Sequence, residues 1–270
     1  MPTNGQLALL ILSVAFFTAG GLISFARVWK DTKTMRLAGK SCLYWGILAS
    51  VGVLIWHSVK RGDWMPIGDN FDALIWLAVL LALFVAYVQG TRPLAALDWF
   101  IMPVTILLLL GAAVFGRTEF HQYVGQAWTS AHRITSYGGA VAFAVAAASG
   151  AMYVIASARL RRKEPAGAYL GSLERLEHLT MTAVTLGFAL LTIGIITGVI
   201  EMIGRGRPTP PTKVALAAGV WIIYAIVLHA PINPVFRGRR AAVLSVIGFL
   251  LMIGAIIAAQ FSPAVGGGQH

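Results

Sequence analysis

Apolar residues run along this chain in eight blocks of 17 to 25 positions, broken by short polar stretches. The blocks are Leu7–Ala26, Ser41–Val59, Ala73–Thr91, Trp99–Gly116, Ile134–Ala158, Leu179–Ile200, Val214–Ala230 and Ala241–Gln260. Each is close to the roughly 20 residues that a helix needs to cross a hydrocarbon core. Lipid offers no water to an exposed backbone, so an open sheet edge is untenable there and helices are predicted. Pro103 should bend the fourth helix near its start. Gly194 and Gly198 give the sixth a small-residue face suited to close packing. The expected fold is all-α, a polytopic membrane bundle of about eight transmembrane helices, with residues 1–270 as one domain. No soluble domain or internal repeat is visible. The longest loops are expected over Gly116–Arg133 and Arg159–His178, and the tail Ser262–His270 is rich in glycine.

Composition agrees with this pattern. Of the 270 residues, 58% are hydrophobic and 11% charged, with mean hydropathy +0.77. A soluble domain carries about 25% charged residues. The net charge of +11 is not a nucleic-acid stripe, because the basic residues sit in clusters between apolar blocks. One alternate set of loops holds fourteen Lys and Arg residues and the other seven. The richer set is expected in the cytoplasm, and an even number of spans then puts both termini on the non-cytoplasmic side. The first block lacks a basic leader and is read as a span, not a cleaved signal. Cys42 is the only cysteine. That excludes an internal disulfide, a C-x-x-C redox pair and covalent c-type haem attachment, and leaves Cys42 to pack as a small apolar residue.

The candidate chemistry rests on six histidines. His57, His121, His132 and His270 fall on the expected outer side, and His178 and His229 on the inner side. Imidazole nitrogen suits iron, and two imidazoles on opposite faces of a porphyrin make a bis-histidine haem site. Trp128 lies four residues before His132. If the helix starts that early, both face the same way, and the indole would flank a porphyrin. Spacing by itself leaves blander readings open. His132 also fits an interfacial histidine bonded to a carbonyl, His229 fits a helix-end histidine favoured by the dipole, and His270 fits an unstructured tail. Asp72, Asp98 and Glu201 flank or end blocks and are read as wetted interfacial charges. No block has an acidic residue at its centre, which disfavours a proton-coupled carrier. Most tryptophans sit near block ends as interfacial anchors, with Trp76 and Trp221 as packing residues.

Several segments, in order, resemble the CcsA/CcmC haem-handling proteins of cytochrome c assembly. They are LERLEH (173–178), GFALLTIGIITG (187–198), WIIYAIVLH (221–229), RGRR (237–240) with Ala241 and Ala242, and Gly248 with Phe249. In the front half, PIGDNFDAL (66–74) resembles the family's entry to a helix and WTSAH (128–132) its W-x-x-x-H entry. The resemblance implies that His132 is an external haem ligand and that His229 belongs to a haem site within the membrane. It aligns His270, in Gly268-Gln269-His270, with the second external ligand, without the family's following Ser-Tyr. Residues 201–213 depart from the pattern. They carry Arg205, Arg207, Lys213 and three prolines but none of the family's tryptophans, so the chain is closer to the HemX-like branch. The basic residues there are candidates to pair with haem propionates.

The resemblance implies non-covalent, b-type haem binding and delivery at the outer face during c-type cytochrome biogenesis, with haem entering near His229 and held outside by His132 with His270 or His57 opposite. The expected partners are the lipid bilayer, haem, a ResB-like membrane subunit and apocytochrome c, with no nucleic acid. The expected location is a bacterial inner membrane. No catalytic residue is assigned; any synthase activity would belong to a complex with the ResB-like subunit. The alternatives are a HemX-like regulator of haem biosynthesis, a b-type electron carrier that pairs His178 with His229, and a small-solute transporter, which the lack of repeats disfavours.

Overall fold

A computed structural model describes residues 4–27, 32–62, 69–91, 97–116, 127–163, 171–205, 211–229 and 237–261. They form α1 (Asn4–Ala26), α2 (Lys33–Arg61), α3 (Asn70–Thr91), α4 (Leu97–Phe115), α5 (Ala127–Arg161), α6 (Leu173–Arg205), α7 (Pro211–Leu228) and α8 (Arg239–Phe261). No strand occurs among the described residues, so the expected all-α fold with eight helices stands. Six of them, α1 to α6, are long and apolar enough to cross a membrane, and α7 has a shorter apolar stretch, Val214–Leu228. His121, Arg207 and His270 lie outside the described residues, as do the side chains of Arg205 and Lys213.

Several helices run past the apolar blocks. α2 begins at Lys33, α5 at Ala127 and α6 at Leu173. Hydropathy marks only the part of a helix that lipid solvates, while the backbone hydrogen-bond ladder continues through polar residues. The loop expected over Gly116–Arg133 therefore ends earlier, and His132 and Arg133 are helical. Local chemistry fixes the ends of α2. The Thr32 hydroxyl accepts from the Met35 N–H (3.2 Å), as an N-cap does. Gly62, at φ 72°, closes the other end by donating to Ser58 O, a left-handed turn that glycine adopts without penalty.

The chain divides into two compact units, residues 1–124 with 155–175, and residues 125–154 with 176–270. In the first, α1 packs on α2 and α4, and α3 on α2 and α4. Ser13 on α1 donates to Gly46 O (3.0 Å) and also bonds Ser50, both on α2. In the second, Phe143 of α5 stacks on Tyr224 of α7, with centroids 3.6 Å apart and planes 7° apart. Tyr224 donates to Ser245 O of α8 (3.2 Å), and Ser149 bonds Thr180 between α5 and α6 (2.8 Å). Large apolar side chains such as Ile11, Leu107, Ile196 and Leu250 stand more than half exposed. On helices of this length, that surface suits lipid as solvent.

Candidate functional site

Three places carry the chemistry. The first is around His132 in the second unit. The start of α5 at Ala127 puts Trp128 and His132 one turn apart on one face. Trp128 is exposed and His132 half-buried. The His132 ring lies against α6, where its Nδ1–H donates to the carbonyl of Gly194 (2.7 Å). A carbonyl only accepts, so the proton of this bond is on Nδ1. The neutral tautomer then leaves Nε2 unprotonated, with no hydrogen bond among the described residues. Nearby, Thr197 donates to the Ile193 carbonyl (2.8 Å) and lies 3.1 Å from the Gly194 carbonyl, and the Thr129 hydroxyl donates to Glu201 (2.9 Å).

His229 follows the last residue of α7 and is exposed. Its Nδ1 bonds the Ala225 carbonyl one turn back (2.7 Å), the helix-end arrangement that spacing allowed, and again Nε2 is the remaining nitrogen. Trp221 of α7 donates to Thr192 of α6 (3.1 Å) and packs on Phe188. His132 meets α6 at Gly194 and Gly198. His132 is thus seated on α6 from α5, whereas His229 stands after the last residue of α7. His178 is exposed in the first turns of α6.

The third place was not foreseen from sequence. His57 and Arg61 of α2, Gln6 of α1, and Asp69 and Asp72 at the start of α3 form a buried network in the first unit. Gln6 Nε2 donates to His57 Nδ1 (3.1 Å), so His57 Nε2–H donates to Asp69 Oδ2 (2.8 Å). Arg61 Nη1 donates to Asp72 Oδ2 and lies 3.5 Å from Asp69 Oδ2. Asp69 Oδ1 accepts from the Asp72 N–H (2.8 Å) and so caps α3. Burial pushes the Asp69 carboxyl up. The His57 hydrogen bond, the Asp72 N–H and the charge of Arg61 outweigh it and hold the carboxyl below its usual value. Asp69 and Asp72 are each 1% exposed.

Asp72 is therefore not a wetted interfacial charge, because Arg61 compensates it inside the protein. Asp98 is buried too, and accepts from Ser24 (2.9 Å) and Gln89 (2.7 Å). Glu201 is half-buried. The signal available in sequence was opposite charge across one short connection, with Arg61 before it and Asp69 and Asp72 after. Donor atoms of His57, Asp69 and Asp72 lie within 4.8 Å of one another. His57 already bonds Asp69, and the Arg61 guanidinium rests on both carboxylates, so a metal ion would have to displace that cation. His57 has both ring nitrogens engaged, whereas His132 keeps one.

Long apolar helices with histidines at their ends define an integral membrane protein able to offer imidazole nitrogen near a bilayer surface. Residues 40–261 match the sequence profile of the family described as cytochrome C assembly protein. The chain belongs to that family, and membership supports a role in c-type cytochrome biogenesis. It is similar to the cytochrome c biogenesis protein CcsA of Thermosynechococcus vestitus, with 40% identity over 79 residues, 28% of this chain and 24% of that protein. It is similar to the CcsA of Oryza sativa at 39% over 83 residues, 30% and 26% of the two chains. The CcsA of Prochlorococcus marinus strain MIT 9312 is 35% identical over 91 residues, 33% and 29%. Each match spans only about a quarter of the curated relative.

Proposed function

We propose that this protein binds haem non-covalently, in the b-type manner, and delivers it at the outer face of the membrane during c-type cytochrome biogenesis. The observation that carries this reading is the His132 Nδ1–H bond to Gly194 O at 2.7 Å. Iron-ligating histidines characteristically donate their second ring N–H to a carbonyl or carboxylate, which fixes the tautomer and orients the ligating nitrogen. His132 meets that requirement with Nε2 left over, and His229 meets it through Ala225 O. The residues present fit the group.

Haem, when bound, supplies an iron that takes imidazole nitrogen as an axial ligand. The chain's own part is to hold two oriented Nε2 atoms, one on α5 against α6 and one just after α7. Trp128, exposed one turn from His132, offers an apolar face beside a porphyrin, and His270 is a candidate second outer ligand. On this reading residues 1–270 act as one assembly-type domain. The family match supports that, since it runs through both compact units. Both termini lie on the non-cytoplasmic side of a bacterial inner membrane. Thioether formation, with a ResB-like subunit and apocytochrome c, would take place on the complex.

The test is the reduced-minus-oxidised absorption spectrum of the purified protein beside His132→Ala and His229→Ala. The expected result is a Soret band and a sharp α-band that weaken in the His132 variant. Haem-replete expression that yields no bound haem would overturn the reading. A HemX-like regulator is the second reading, favoured by the absence of tryptophan over residues 201–213. Unchanged cytochrome c maturation in a deletion strain, with altered amounts of haem-synthesis enzymes, would select it.

A further inference from the structure

In α6 the N–H of residue 198 is the helical partner of the residue 194 carbonyl. On a helix, the residue four positions on covers the same face. Any side chain at 198 would therefore lean over the carbonyl that His132 uses. Gly198 leaves that place open, and the His132 ring fills it. A Cβ built on Gly198 would fall 2.9 Å from both Nδ1 and Cε1 of His132. Carbon contacts settle at about 3.5 to 4.0 Å, so the ring would have to retreat by roughly half an ångström or more. The neighbouring Gly194 is also closed in, since a Cβ there would meet the Ser136 hydroxyl of α5 at 2.9 Å. Thr197, between them, donates its hydroxyl to the Ile193 carbonyl (2.8 Å), with the Gly194 carbonyl at 3.1 Å.

We propose that Gly198 is the positioning residue for His132. Its missing side chain exposes the Gly194 carbonyl to the ring, and that bond holds the proton on Nδ1 and leaves Nε2 for an iron porphyrin. This rests on His132 as a haem ligand, as proposed above. Gly198 touches neither haem nor iron and acts through the imidazole. Its replacement displaces the ring, breaks the 2.7 Å bond and frees the proton to move to Nε2, where it competes with iron.

The experiment is a haemin titration of the full-length protein in detergent, followed in the Soret band, with the axial-ligand signature read by electron paramagnetic resonance. Gly198→Ala is compared with wild type, His132→Ala and Gly204→Ala. A Cβ at 204, on the same helix, meets nothing within 4 Å. Gly198→Ala is expected to weaken haem binding about 10- to 100-fold, the usual scale for losing the group that orients a metal-bound histidine. It should also change the low-spin signature, while Gly204→Ala matches wild type. If Gly198→Ala keeps the wild-type affinity and signature while His132→Ala loses them, the positioning role is overturned and the haem site stands. If His132→Ala itself behaves as wild type, the haem reading fails and the positioning role with it. Should Gly198→Ala not fold, the double variant His132→Gly with Gly198→Ala decides. Recovery of the folded protein identifies the ring as what residue 198 accommodates; continued misfolding overturns the proposal.

Discussion

His57 and His132 are both helical histidines held by another helix, yet they are built for different tasks. His57 is 7% exposed and uses both nitrogens, accepting from Gln6 and donating to Asp69. Every atom that makes imidazole useful to a ligand is spent on the protein. His132 is half-buried, spends Nδ1 on a backbone carbonyl and keeps Nε2. The difference lies in the neighbours. Polar and charged side chains at the ends of α1, α2 and α3 close around His57, whereas two glycines a turn apart present backbone to His132. A surrounding network produces a structural histidine, and a one-sided seat produces one with coordination to spare.

Removing Arg61 should break this contrast hardest. Arg61→Ala leaves Asp69 and Asp72 buried without their cation, and breaking a buried pair from one side costs about 3 to 5 kcal/mol. Thermal unfolding in detergent should fall by many degrees; a midpoint near wild type would mean that the network is open to water. His57→Ala leaves the Asp69 carboxylate and the Gln6 amide short of a partner, a loss of about 1 to 3 kcal/mol in the same assay.

Asp69→Asn tests the electrostatics through pH. The Asp69 carboxyl is held below its ordinary value in the folded chain. Its contribution is therefore present above the unfolded value, about 3.9, and is lost as pH falls through the lower folded value. The wild-type midpoint should drop on acidification below about pH 4, more steeply than that of Asp69→Asn. Equal acid limbs would contradict the arrangement.

His132→Ala should be the mildest for stability. It removes one hydrogen bond to a backbone carbonyl, about 0.5 to 1.5 kcal/mol. It should nevertheless be the most damaging to haem binding. A His132→Ala variant as unstable as Arg61→Ala would place His132 with the structural histidines and erase the distinction.

The helices and their lipid-facing surfaces were legible in the amino-acid order. A membrane-spanning segment has to be apolar along its length, and that constraint is local. Their polar extensions were not legible from hydropathy. The start of α5 at Ala127, which makes Trp128 and His132 neighbours on one face, needed the backbone. The W-x-x-x-H spacing singled out His132 but could not supply its partner, because Gly194 lies 62 positions away in the chain. The Arg61, Asp69 and Asp72 network was readable in principle as opposite charges across a short connection. Gln6 was not, since nothing in the order of residues brings the first turn of α1 to His57.

The sequence by itself therefore determined solvent, helix number and which histidines were worth weighing, because hydropathy and composition act along the chain. Only the tertiary structure decided which imidazole nitrogens are spent and which are kept. A hydrogen bond forms between atoms that packing brings within about 3 Å, and packing joins helices from distant parts of the chain.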